Sequence, residues 1–366
     1  MPNIRLVDNC LSRIPWPTFA NILKAKNLPV GQGKEKTSNK LIAFGKDAEQ
    51  NAKKVNTLED SYFEHLLAGE KAFTLFLLSS DIMKHLIAGF NQYDPEESPL
   101  VDHFPFLLSE EDLLQIEPDE PLLVKIETLD IGLALIFCTR RLVTERKELS
   151  LDDFCEETRN ELSGYEEIIA VKHTNRQFFD VVVLRTDLSA VEIRADVSGN
   201  IPSAFRTIAF RQIRNKFNEL AGELGIESPL EEMLNLYPAV EKLYDSTEGR
   251  VCELGFITDE NSIKHERQRR KEVDLRTETY HHAGRNAVPH ITPYRLGICW
   301  DIPIAEDVQI RPELFFPGHV RLLSEETQLL ESAIITKCSG LTDYEFIFRK
   351  VSESLDELNQ HATNNR

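Results

Sequence analysis

The segment Phe178–Val197, FFDVVVLRTDLSAVEIRADV, constrains this chain more than any other. Two alternating, β-branched runs flank the turn TDLS at 186–189, which is the pattern of an antiparallel hairpin. Register decides what such a hairpin presents, because a slip of one residue moves every side chain to the opposite face. Setting Asp180 opposite Arg194 and Val182 opposite Glu192 gathers Phe179, Val181, Val183, Val191, Ile193 and Val197 on one apolar face. Asp180, Glu192 and Arg194 then share the other. Burial of apolar area favours this register.

The polar trio has two readings. Two carboxylates on neighbouring strands make a hard oxygen site for Mg²⁺, and a nearby cation supports the nucleophilic water. The same residues also make an ordinary cross-strand ion pair, Asp180 with Arg194, on a half-exposed sheet. The surrounding order is helix, three strands, helix. A helix over 151–163 ends at Gly164, and strands follow at 166–173, 178–185 and 190–197, with TNRQ as the first turn. A second helix over 203–223 is entered through Gly199, Asn200 and Pro202, with Phe205, Ile208, Ala209, Ile213, Phe217 and Leu220 as its buried stripe.

This order resembles the core of the restriction-endonuclease-like family, whose motif is an Asp followed by Glu-x-Lys on the next strand. The matching residues are Asp180 and Glu192-Ile193-Arg194, within 151–223. The resemblance implies a Mg²⁺-dependent nuclease with Asp180 and Glu192 as metal ligands and Arg194 in the place of the family's lysine. Arginine is not deprotonated in a protein, so Arg194 would stabilise charge and could not serve as a base.

Two basic clusters stand out. The helix over 203–223 carries Arg206, Arg211, Arg214 and Lys216, spread around more than half its circumference. The run KHERQRRKEVDLR at 264–276 holds Lys264, Arg267, Arg269, Arg270, Lys271 and Arg276, diluted by Glu266, Glu272 and Asp274. It is the densest basic stretch in the chain, suited to phosphates or to an acidic partner. The formal charge of −19 repels polyphosphate at long range, so nucleic-acid binding would depend on such local patches. Either cluster also reads as a solvated face that balances an acidic protein.

The other motifs lead away from common enzyme classes. GQGKEKTSNK at 31–40 lacks the Walker spacing and reads as a flexible surface loop. YHHAGRNAVPH at 280–290 reads as a Gly- and His-bearing connection of the kind that carries binding residues. No nucleophile elbow, dinucleotide fingerprint or kinase set occurs. The six cysteines form no C-x-x-C pair, and the expectation is reduced thiols in the cytoplasm. No apolar run reaches the roughly 18–20 residues of a membrane span.

The expected fold is α+β with mostly antiparallel sheets. A mostly helical part spans 1–110, with one helical stretch over 57–90. A central α/β unit spans 111–240, with two strands over 121–146. A β-rich part spans 241–366, with a hairpin from 251, a strand over 291–302 and a terminal helix over 352–361. The expected function is nucleic-acid-associated binding within a larger cytoplasmic assembly, with bacterial antiviral defence as the context. Nucleic acid and a protein partner or second copy are the expected partners, without membrane insertion. The alternatives are a Mg²⁺-dependent nuclease and a protein-interaction scaffold subunit.

Overall fold

The computed structural model describes residues 4–116, 120–199, 203–270 and 272–365. Five helices open the chain: α1 (Ile4–Arg13), α2 (Trp16–Ala25), α3 (Lys34–Asp47), α4 (Glu49–Asn56) and α5 (Leu58–Ala68). Then come β1 (Lys71–Leu77), α6 (Ser80–Phe90), the short α7 (Pro99–His103) and α8 (Glu110–Leu114). The centre holds β2 (Leu122–Leu129), β3 (Gly132–Leu149), α9 (Glu156–Leu162), β4 (Ile168–Arg185), β5 (Ala190–Asp196) and α10 (Ser203–Glu223). The remainder is α11 (Tyr237–Asp245), β6 (Arg250–Thr258), β7 (Ile263–Arg267), α12 (Thr279–Ala287), β8 (Ile291–Cys299), β9 (Ile302–Ala305), β10 (Val308–Ile310), β11 (Glu313–Phe316), β12 (Ala333–Thr336), α13 (Leu341–Glu353) and α14 (Asp356–Asn364).

The class is α+β, as expected from the sequence. Ten strands form one antiparallel sheet in the order β2-β3-β4-β5-β1-β12-β11-β8-β6-β7. It draws strands from the N-terminal, central and C-terminal stretches alike. Among the described residues no helix is long and apolar enough to cross a membrane.

Two cores form because a strand sends alternate side chains to opposite faces. Phe73, Leu75, Val181, Val183, Leu254, Leu296, Ile298 and Leu314 join the core shared with α1, α5, α11 and α13. Phe76, Val182, Leu184, Val191 and Ile193 join the second core, under α6 and α10. Ile213, Phe217 and Leu220 supply the α10 side of it at helical spacing. Ile208, placed in the α10 stripe by its spacing, is exposed.

Several local expectations are corrected. The stretch 57–90 is not all helix: KAFTLFL forms β1, at the centre of the sheet between β5 and β12. The loop expected at 31–40 is mostly helix α3, entered at Gly33, whose φ of 87° suits glycine. The connection expected at 280–290 is largely α12, capped by the Glu278 side chain on the His281 amide. TNRQ is no turn. Residues 168–185 form one strand, paired along its whole length with β3. Of the expected helix entry, Gly199 is described, while Asn200 and Pro202 lie outside the described residues.

The hairpin register is also corrected. Val181 stands opposite Arg194 and Val183 opposite Glu192, one residue away from the expected pairing. The turn is the cause. A four-residue loop, Thr186 to Ser189, closes on the pair Arg185 and Ala190, and loop length fixes the register of a hairpin. The premise of a single apolar face fails because helices cover this part of the sheet on both sides. All seven residues of β5 are buried.

Candidate nucleic-acid interface

The corrected register separates the polar trio. Glu192 and Arg194 project toward α13, while Asp180 lies in the opposite phase of the sheet, beside Thr139 and Arg141 of β3. Arg141 holds both Asp180 oxygens, one at 3.2 Å, and the Asp196 amide donates to Oδ1 at 2.9 Å. Arg194 binds Glu192 through Nε at 2.9 Å and Nη2 at 2.8 Å. Arg185 Nη1 adds a bond at 2.9 Å, and the Tyr344 hydroxyl donates at 2.6 Å. Arg194 also reaches Glu345 of α13 at 2.6 Å.

Asp180, Glu192 and Arg194 each have 0 % exposure. Burial alone would raise the Glu192 pKa, but the Arg194 and Arg185 charges outweigh it and hold the carboxyl below the usual range. These residues do not fit a shared Mg²⁺ ion. The two carboxylates face opposite ways, and their oxygens are occupied by guanidiniums, a hydroxyl and an amide. Among the described residues no group of three or more His, Cys, Asp or Glu side chains could hold a metal ion. The cluster's chemical consequence is mechanical: it bolts α13 to the sheet.

The basic residues divide differently. Helices cover one face of β12, β11, β8 and β6, where Leu254, Leu296, Ile298, Leu314 and Ile335 are buried. The other face opens into a cavity of about 300 Å³, lined by Glu253, Arg267, Arg295, Phe315 and Thr336, with Gly297 at its floor. A Cβ on Gly297 would sit 3.0 Å from the Glu253 Cβ and 3.6 Å from the Phe315 ring. Glycine therefore keeps this floor open.

Glu253 organises the cavity. Its carboxylate takes Arg295 Nε at 2.6 Å, His265 Nε2 at 3.1 Å and Arg267 Nε at 3.4 Å. Burial pushes its pKa up, but the bonds from Arg295 and His265 prevail and keep it ionised. Arg295 also lies over the Phe315 ring, 4.4 Å from its centroid. Arg206, from the first turn of α10, comes close enough to feel Arg295. Burial first, and then the Arg295 charge, lower the Arg206 pKa. No carboxylate pairs with Arg206 among the described residues.

A second cleft of about 600 Å³ adjoins the first and shares Glu313 with it. Its cations are Arg269, Arg270, Arg311 and Lys337. Arg311 is tied to Asp301 and Glu272, both at 2.8 Å, and Lys337 to Glu313 at 2.5 Å. Arg269 and Arg270 are exposed and make no ion pair among the described residues.

The sequence-derived basic residues thus have different fates. Arg267 lines the first cleft and Arg269 and Arg270 the second, while Arg206 is linked to them only through the Arg295 charge it feels. Lys264 lines a separate pocket with Phe256, Glu266 and His281. Arg211 is exposed on α10, and Arg214 lies over Phe76 at 5.7 Å. Arg276 is committed to Asp274 and to backbone carbonyls of Ser246, Glu248 and Gly249. Lys271 lies outside the described residues.

Sequence reasoning missed Arg295, Glu253, Phe315 and Lys337. A signal existed in YRLGICW: Arg295 and Gly297 occupy the alternate phase to Leu296 and Ile298, the phase that stays uncovered. The partner strands that complete the cavity are remote in sequence, and no local pattern announces them. The chain matches no protein-family model, no curated protein and no solved structure, so the reading of this surface rests on its own geometry.

Proposed function

We propose that the protein binds nucleic acid through the open face of the C-terminal half of the sheet. The observation that carries this reading is the pair of adjoining clefts on that face, one lined by Arg267 and Arg295 and the other by the exposed Arg269 and Arg270, which make no ion pair among the described residues. Cations gathered without enough carboxylates repel one another, and a phosphate among them would relieve that cost. Arg267, Arg269 and Arg270 extend the positive surface from the cavity to its neighbour.

The acidic remainder of the chain sets the expected behaviour. With a net charge of −19, attraction is confined to this patch and should be lost quickly as salt rises. Three to four phosphate contacts correspond to a slope of about −2 to −4 in log K against log salt. Anisotropy of a labelled oligonucleotide across a salt series tests the reading. A flat response, or none at low salt, removes it.

A protein partner in a cytoplasmic assembly belongs to the same proposal. Beyond Cys138 and Val181, β3 and β4 continue as a two-stranded ribbon from Thr139 and Phe178 to Leu149 and Ile168. Leu142, Ile169 and Val171 are exposed on it, and a two-stranded ribbon is marginal in water by itself. The nuclease alternative has lost its support, because Asp180 and Glu192 face apart and are sealed from solvent.

A further inference from the structure

We infer that the nucleic acid taken by this face is single-stranded, with an unpaired base on the Arg295–Phe315 platform and its phosphate on Arg267. The inference rests on the nucleic-acid reading of the same surface and narrows it to one class of strand.

The groups that would do the recognising sit inside a concavity. Arg295 lies at its floor with a side-chain exposure of 26 %, and Glu253 is deeper at 11 %. A duplex keeps its bases stacked inside and offers a rigid backbone. Proteins that read it insert a helix or ribbon into a groove, which a hollow cannot do. An unpaired nucleotide can enter, and the cavity of about 300 Å³ is of that order of size.

The floor has the chemistry of a stacking site. The guanidinium of Arg295 lies 4.4 Å over the Phe315 ring, and Glu253 holds it there through Nε at 2.6 Å. Its Nη nitrogens carry no hydrogen bond among the described residues. A flat π surface therefore faces the cavity beside two free donors. Bases stack on aromatic rings and on arginine planes with little regard to sequence. The Glu253 carboxylate is taken up by Arg295, His265 and Arg267, which leaves the Thr336 side chain at the wall as the partner for base edges. Arg267, 68 % exposed, lines the cavity where phosphates would run.

The test uses the full-length protein and short labelled oligonucleotides of one sequence: single-stranded DNA, single-stranded RNA, and the DNA annealed to its complement. All three are measured at the same low salt. The expected result is single-strand binding at least about 10-fold tighter than duplex binding. Phe315→Leu keeps apolar bulk but removes the aromatic plane, and should weaken the single strand about 10-fold while the duplex is unchanged. Circular dichroism checks that the variant is folded, and Phe315→Trp should restore the preference. Duplex binding as tight as single-strand binding overturns the inference and leaves the broader reading standing. So does a single-strand preference that Phe315→Leu does not move. Failure of all three ligands to bind removes the broader reading itself. Comparison of the DNA and RNA strands assigns the sugar.

Discussion

Asp180 and Glu192 lie on adjacent strands yet project from opposite faces of the sheet. Each is neutralised by arginines of its own side, Arg141 for the first and Arg185 with Arg194 for the second. A site that looks shared in the sequence is two structural clamps in the fold.

Removing the Glu192 carboxylate should therefore damage the fold. Glu192→Ala leaves Arg185 and Arg194 buried against each other, and breaking a buried pair from one side costs about 3–5 kcal/mol. Urea unfolding followed by circular dichroism should show the midpoint fall by the corresponding amount. A midpoint equal to wild type would mean that the network contributes little.

Charge reversal should separate the basic residues by position. Arg206→Glu and Arg295→Glu should each weaken oligonucleotide binding by about 10-fold or more and flatten the salt slope by about 1. Arg211→Glu, on the exposed side of the same helix, should change affinity by less than about 3-fold. Equal losses for Arg206 and Arg211 would indicate a diffuse charge effect.

Arg276→Ala should behave as a stability variant. Its guanidinium ties Asp274 to the carbonyls of Ser246, Glu248 and Gly249, at 2.7–3.1 Å for Nη2. Loss of several charge-assisted bonds is expected to cost about 2–3 kcal/mol. Oligonucleotide affinity of the folded fraction should stay near wild type.

Stability should also carry a pH signature from Glu70. Burial raises its pKa from 4.5 to about 7, against the opposing bond from the Lys337 amide. The folded state thus keeps a proton that the unfolded chain releases. The resulting stabilisation is complete below about pH 4.5 and fades as pH rises through about 7, by at most about 3 kcal/mol. Glu70→Gln should flatten this decline in urea midpoints measured across the interval. An unchanged pH profile in the variant would assign the slope to other groups.

Much of the fold was legible because its signals are local. The hairpins of β2 with β3 and β6 with β7, the strand β8 and the helix α10 all follow from short-range pattern and turn chemistry. The errors share a cause. KAFTLFL at β1 is a short apolar run, and such runs fit a buried helix as well as a buried strand. The register failed because one apolar face was demanded of a strand that is covered on both. The loop length, four residues between Arg185 and Ala190, held the answer. In the candidate site, Arg206 and Arg267 were visible as charge. Arg295 and Phe315 were not, because only pairing among β6, β8 and β11 sets them beside those charges.

The position of β1 has a consequence for how the chain must assemble. Lys71–Phe73 pairs with Asp196–Arg194 on one side and with Ile335–Ala333 on the other. Among the described strands the two wings of the sheet meet at this one, and its second neighbour comes far later in the chain. Until residues 333–335 are available, β1 presents a bare hydrogen-bonding edge. A nascent or prematurely ended chain would expose that edge as a sticky seam, and shielding it during synthesis falls to the cell's chaperones.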